Sequence, residues 1–187
     1  MAMNKIVSDF GILIPKLEAM GVSLAGGRGE GDPELNLEIA CFNGPKKCGH
    51  QENSEISIPW PTETAGGVAK KWGENQRAGR WFAGAEIEKR CCDGDCSYET
   101  FAFPRVMENE GGWKNPDDRT GLYFDCCKTA FRPYDLAVNC FLIIAKHHLE
   151  EKILVSSDGE TQHWAEGRIV CQEYLGYGIE FELDKAG

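Results

Sequence analysis

The sequence predicts an α+β fold in a single domain, 1–187, with a mixed sheet: antiparallel strands and hairpins in the N-terminal part, and a C-terminal β-α-β-α-β unit with parallel strands over 122–187. Three observations carry this expectation. Helical and alternating apolar patterns follow one another without a break from Leu122 to Leu183. Leu35, Leu37 and Ile39 alternate with Asn36 and Glu38, the period of a half-buried strand. At 187 residues the chain can bury a core without covalent staples.

Taken in order, Ile6, Phe10, Leu13, Ile14 and Leu17 have helical spacing and predict a helix near 4–20 that ends at Gly21. Gly11 and Pro15 predict a kink or two short pieces. Residues 22–24 read as a brief strand. The glycine-rich loop 26–33 lacks the Walker lysine and the G-x-G-x-x-G order, so it reads as a mobile hairpin tip and not as a phosphate cradle. Asn43-Gly44-Pro45 turns the strand that begins at Leu35. Strands are expected at 55–60, 80–92 and 97–106, the last two about the turn Asp93-Gly94-Asp95, with a helix over 62–75 carrying Val68 and Trp72 on one side. Residues 1–106 are thus mostly β, and the polar, glycine-rich stretch 107–121 is a connecting loop.

The C-terminal part is read in finer detail. Residues 122–128 are rich in aromatic and sulfur side chains and predict a strand. Leu136, Cys140, Ile143, Ile144 and His147 line one helical face, and Ala137, Phe141 and Ala145 widen it. Pro133 suits the first turn of that helix. Residues 153–155 predict a short buried strand. Ser157-Asp-Gly-Glu160 fits a capping box opening a helix with Trp164, Cys171, Tyr174 and Leu175 on one side and Gly176 at its end. Ile179, Phe181 and Leu183 alternate with Glu180, Glu182 and Asp184 as the last strand.

Charge narrows the function classes. The formal net charge is −10 and the sequence pI about 4.9, which argues against binding nucleic acid directly, since that needs a basic face. It argues equally against docking on anionic lipid. No apolar run is long enough for a membrane span. Nine cysteines, several inside apolar patterns, predict free thiols in a reducing cytoplasm.

Four constellations are weighed for chemistry. Cys41 and Cys48 flank one turn with His50 close by, and Cys92 and Cys96 flank another. Two turns each presenting soft ligands follow the logic of a structural zinc site, although six residues between Cys41 and Cys48 exceed the usual knuckle spacing. The default expectation is therefore no cofactor, with structural zinc as the alternative. The carboxyl ends of the expected parallel strands would gather Lys128, Thr129 and Arg132 with Ser156, Ser157 and Asp158, where two helix N-termini could help hold a phosphate or carboxylate. The competing reading gives each a routine task, with Ser157 capping a helix and Arg132 pairing with Asp135. His147 and His148 suit the end of a helix. Ser156, His163 and Asp158 come from one local segment without a G-x-S-x-G elbow, so a hydrolytic triad is not expected and no catalytic residue is assigned. Trp113, in a polar loop, is the best candidate for an exposed partner-binding aromatic.

The run from Tyr123 to Asp135, Tyr-Phe-Asp-Cys-Cys-Lys-Thr-Ala-Phe-Arg-Pro-Tyr-Asp, with Ile143-Ile-Ala-Lys-His-His148 and Val155-Ser-Ser-Asp-Gly159, resembles small uncharacterised proteins encoded by bacteriophages and prophages. The resemblance implies an infected bacterial cytoplasm and transfers no activity. The expected function is accordingly that of an acidic, non-catalytic accessory protein that binds another protein, with a basic host protein as candidate partner. The alternatives are an anion-binding enzyme or sensor using the Lys128/Arg132/Ser157 edge, and a zinc-stabilised structural module.

Overall fold

In the computed structural model, which describes residues 2–51, 54–56, 90–107 and 115–185, the chain opens with a helix, α1 (Ala2–Ala19). Met3, Ile6, Phe10, Leu13 and Leu17 recur every three or four residues, share one face and are all buried. Pro15 does not divide this helix, contrary to expectation. A proline ring presses on the carbonyl four residues back, here that of Gly11. Both residues lie on the exposed side, where water can serve the freed carbonyl. Gly21 N–H on Glu18 O and Val22 N–H on Leu17 O then close α1 with the paired bonds of a Schellman end.

Among the described residues, five short strands follow: β1 (Glu34–Leu35), β2 (Ile39–Phe42), β3 (Ser54–Ile56), β4 (Arg90–Cys92) and β5 (Phe101–Pro104). They form an antiparallel sheet in the order β1-β2-β5 and a separate antiparallel ribbon β3-β4. The strand expected through 35–39 is broken in two. Asn36 Oδ1 accepts the N–H groups of Glu38 and Ile39 at 2.8 and 2.9 Å, which folds the chain back and leaves Leu37 54% exposed at the tip. The strands on either side of Asp93-Gly94-Asp95 do not pair with each other; β4 joins β3 and β5 joins β2. Residues 22–24 form no strand, and only Ala25 makes a bridge, to Asn43. The loop 26–33 is no free hairpin tip, because Lys46 N–H bonds Gly29 O and the Asn43 amide bonds Gly27 O. The helix expected over 62–75, with Val68 and Trp72, lies outside the described residues, as does Trp113.

Two further helices, α2 (Asp135–Leu149) and α3 (Ala165–Leu175), pack with α1 into a layer against the three-stranded sheet. The layers meet at aromatic rings. Phe141 of α2 lies 5.1 Å from Phe10, 5.0 Å from Phe101, 5.3 Å from Phe103 and 6.1 Å from Phe42, centroid to centroid. Nearly every contact is edge-on or tilted, the arrangement the ring quadrupole favours. At the far end of α2, Asp9 of α1 accepts the Tyr177 hydroxyl at 2.6 Å and sits 2.7 Å from His148 Nε2, so this histidine ties two helices together.

The α+β class holds, whereas the C-terminal parallel unit does not form. Residues 122–128 and 153–155 make no strand, and 179–183 begins in a turn that Phe181 N–H closes on Gly178 O. Their hydrogen bonds go elsewhere. Lys128 N–H bonds the Glu99 carboxylate, and Cys126 N–H bonds the Asp125 side chain. Around 153–155 a single lysine takes the place of a ladder: Lys146 Nζ donates to Ile153 O at 2.9 Å and to both oxygens of Asp184, and Asp184 in turn accepts Val155 N–H. The second C-terminal helix also starts differently. Ser157 Oγ accepts Gly159 N–H, and Glu160 caps a 3-10 turn (Thr161–Trp164) that leads into α3. Gly176 ends α3 as expected.

Two outcomes follow from this packing. Phe141→Ala should cost about 3–5 kcal/mol in chemical denaturation, whereas Phe124→Ala, at a position 67% exposed, should stay within about 0.5 kcal/mol of the parent. Burial alone would raise the Asp184 carboxyl, but the Lys146 ammonium and the Val155 N–H hold it below its ordinary 3.8. A depressed carboxyl contributes stability that is full above its unfolded value and fades as pH falls through the folded one. Asp184→Asn should therefore lower stability at neutral pH and flatten the loss of stability below about pH 4, as read from denaturation midpoints across pH.

Candidate metal centre

The ribbon β3-β4 gathers a set of ligand atoms from two distant turns. Cys48 and His50 precede β3, while Cys92 ends β4 and Cys96 lies beyond the turn that follows. Ser54 pairs with Cys92 in the register, so the strand pairing itself draws the first turn onto the second. Gly49 and Gly94 each have φ near +78°, a left-handed conformation that glycine adopts without strain, and each bends the chain between two ligands.

The resulting cluster is tight. Cys48 Sγ lies 3.3 Å from Cys92 Sγ, Cys92 Sγ lies 3.3 Å from Cys96 Sγ, and Cys96 Sγ lies 3.3 Å from His50 Nδ1. All four ligand atoms fall within 4.8 Å of one another. A tetrahedral zinc with Zn–S near 2.3 Å and Zn–N near 2.0 Å sets its ligand atoms roughly 3.4–3.8 Å apart, so the donor set fits one such ion with small adjustments. Sulfurs in a disulfide would stand about 2.05 Å apart, and all nine cysteines are free thiols. Cys92 and Cys96 are buried, Cys48 is half-buried and His50 is exposed.

Electrostatics set the thiols apart. Burial pushes the Cys48 thiol up, but hydrogen bonds from the His50 backbone and from Cys92 and Cys96 outweigh this and bring it down to about 7. Burial and neighbouring thiols raise Cys92 and Cys96 above the ordinary range. Without a cation, Cys48 thus ionises more readily than the two inner thiols.

Residues outside the ligand set hold the Cys96 turn. Asn43, 2% exposed, accepts Gly44 N–H and Tyr98 N–H on its Oδ1 and donates its amide to Gly27 O and Tyr98 O. Pro45 O accepts Cys96 N–H. Gly44 lies so close that a Cβ there would overlap the Cys96 carbonyl oxygen. Asp95 braces the same turn through the Ser97 N–H and hydroxyl.

Of the sequence-derived metal candidates, Cys48, His50, Cys92 and Cys96 come together and Cys41 does not. Cys41 sits on β2 opposite Ala102, where a Cβ at Gly27 would crowd its sulfur. Burial and Glu34 raise its thiol. The strands meant to gather the anion-binding residues are not formed, and Lys128, Thr129, Arg132 and Ser157 bond elsewhere. Thr129 Oγ1 donates to Asp135, and Arg132 pairs with Asp93 at 3.2 Å instead of Asp135. Lys128 is exposed; its N–H bonds the Glu99 carboxylate and its carbonyl accepts Glu99 N–H. Ser156, Ser157 and Asp158 are exposed. His163 Nδ1 accepts Glu160 N–H, and its ring lies edge-on to Phe131. Trp113, the partner-binding candidate, lies outside the described residues. Sequence reasoning missed Asn43 and Gly44, which read as a plain turn.

No protein-family model, curated protein or solved structure matches this chain.

Gly44→Ala should displace the Cys96 carbonyl and destabilise the protein by about 1–3 kcal/mol. Gly31→Ala, where a Cβ meets nothing within 4 Å but φ is +69°, should cost only the local strain of about 1–2 kcal/mol and leave thiol accessibility unchanged. Denaturation curves, with rates of Cys96 alkylation in the native state, separate the two.

Proposed function

We propose that this protein is a metal-stabilised binding module. Cys48, His50, Cys92 and Cys96 hold one zinc ion, and the folded chain acts by associating with a partner protein without turning over a substrate. The observation that carries the metal reading is the convergence of three thiol sulfurs and one imidazole nitrogen within 4.8 Å. Thiolate and imidazole donors suit zinc and not magnesium or calcium. Four protein ligands fill a tetrahedron and leave no open position for substrate, so the ion is structural. His50 and Cys48, nearer the surface, give the ion its way in.

Partner association is supported by the surface. The net charge of −10 favours a basic partner, and Phe124 and Tyr98 stand 67% and 51% exposed. The phage-like run from Tyr123 to Asp135 fits a bacterial host protein in that role. A reducing cytoplasm suits both parts, because it keeps the thiols available to metal.

Elemental analysis of chain purified without chelator should return one zinc per molecule, and Cys96→Ser should lose most of it. EDTA should lower the melting temperature; at free zinc a thousandfold above its dissociation constant the ion contributes about 4 kcal/mol. A chain that neither carries nor takes up zinc would falsify the metal reading. Partner association is tested by capture from bacterial lysate at low and high salt, with a basic protein retained only at low salt as the expected result.

A further inference from the structure

Resting on the zinc reading, we infer that the metal site and helix α3 are energetically linked through Arg90, so that zinc occupancy governs how firmly α3 is docked. Arg90 and Cys92 are both buried and flank the exposed Cys91 on β4, which places the guanidinium and the ligand sulfur on one side of the strand. Arg90 is fully buried. Its Nη2 lies 2.7 Å from Glu166 Oε2 on α3 and 3.6 Å from Asp135 Oδ2 at the start of α2. Glu166 is itself 2% exposed. Asp135 is held by the Thr129 hydroxyl and by the Asn139 amide, and Asn139 also reaches His163 O ahead of α3.

The ribbon that delivers Arg90 is small. Two strands of three residues do not persist in water by hydrogen bonding alone. Cys48 and His50 come ahead of β3 in the chain and Cys92 ends β4 opposite Ser54, so the ion closes the ribbon at that end. With the ion bound, β4 is fixed and Arg90 is delivered to its two carboxylates. With the ion removed, β4 loosens, and each departure of Arg90 takes a buried cation away from Glu166 on α3 and from Asp135 at the start of α2. A buried charge that loses its partner is strongly destabilising, so α3 loosens in turn. Linkage makes the effect reciprocal: whatever weakens the Glu166 end must weaken zinc binding.

The test uses the full chain loaded with zinc. Glu166→Gln touches no metal ligand, yet it should raise the zinc dissociation constant about tenfold, the usual size of an outer-shell effect, measured by competition with a chromogenic chelator. In the unsubstituted chain, EDTA should speed amide exchange in residues 165–175 by about tenfold while residues 2–19 keep their protection. Zinc affinity unchanged in Glu166→Gln overturns the link, as does exchange in 165–175 that EDTA does not move. Equal loss of protection in 2–19 would mark general unfolding and also count against it. If the unsubstituted chain binds one zinc and α3 ignores it, only the link falls; if it binds no zinc, the metal reading falls as well.

Discussion

The ring of Phe141 touches, within about 5 Å, phenylalanines delivered by α1 and by β5, and a slightly longer reach takes in Phe42 of β2. This is where the helical layer and the sheet exclude water from each other. Strands of four residues cannot sustain a sheet by their ladder alone. β2 and β5 persist because Ala40, Phe42 and Phe101 are buried beneath α1 and α2. Remove the ring, and the sheet loses the surface that makes its pairing worthwhile.

The ribbon β3-β4 is held by different physics. Its inward side chains on β4 are an arginine and a cysteine, with no phenylalanine among them. What fixes it is directional: carboxylates of α2 and α3 for Arg90, and in the proposed zinc form a tetrahedron of donors. Apolar packing tolerates small shifts because it is non-directional. Ion pairs and metal ligation do not, since a buried charge set even slightly apart from its partner is a net cost. One part of the chain is therefore plastic, and the other depends on a few exact distances.

That division explains what could be read from the residues alone. The α-helices among the described residues were legible because burial and helical period coincide: Phe10 and Leu17 on α1, Phe141 and Ile144 on α2, Trp164 and Cys171 around α3. The expected C-terminal strands show where period misleads. Ile179 to Leu183 does alternate inward and outward, with Phe181 buried, yet alternation reports which side faces the core and says nothing about hydrogen-bond partners. Phe181 N–H turns back to Gly178 O and Ile179 N–H goes to the Gln172 side chain, while Lys146 and Asp184 serve 153–155 from positions no local window compares. At 36–39 a single Asx turn outweighed the alternation of leucines.

The metal centre was legible as a set of residue types but not as a geometry. Counting along the chain puts Cys41 with Cys48 and His50; folding leaves Cys41 on β2 and brings Cys48 and His50 to Cys92, where the β3-β4 register carries that turn. Asn43 and Gly44 look like punctuation in the sequence, yet the amide of Asn43 is hydrogen-bonded on both sides and Gly44 leaves room for the Cys96 carbonyl. A buried polar network with its partners in place is rigid, so the Cys96 turn is set independently of any ion, whereas Cys48 and His50 lie nearer solvent. In the proposed zinc form the site is thus half preformed: the inner ligands cost little to order, and the outer pair closes over an ion already seated. Preorganisation of that kind raises affinity without adding a contact, and it lets a donor set drawn from two distant turns behave as one site.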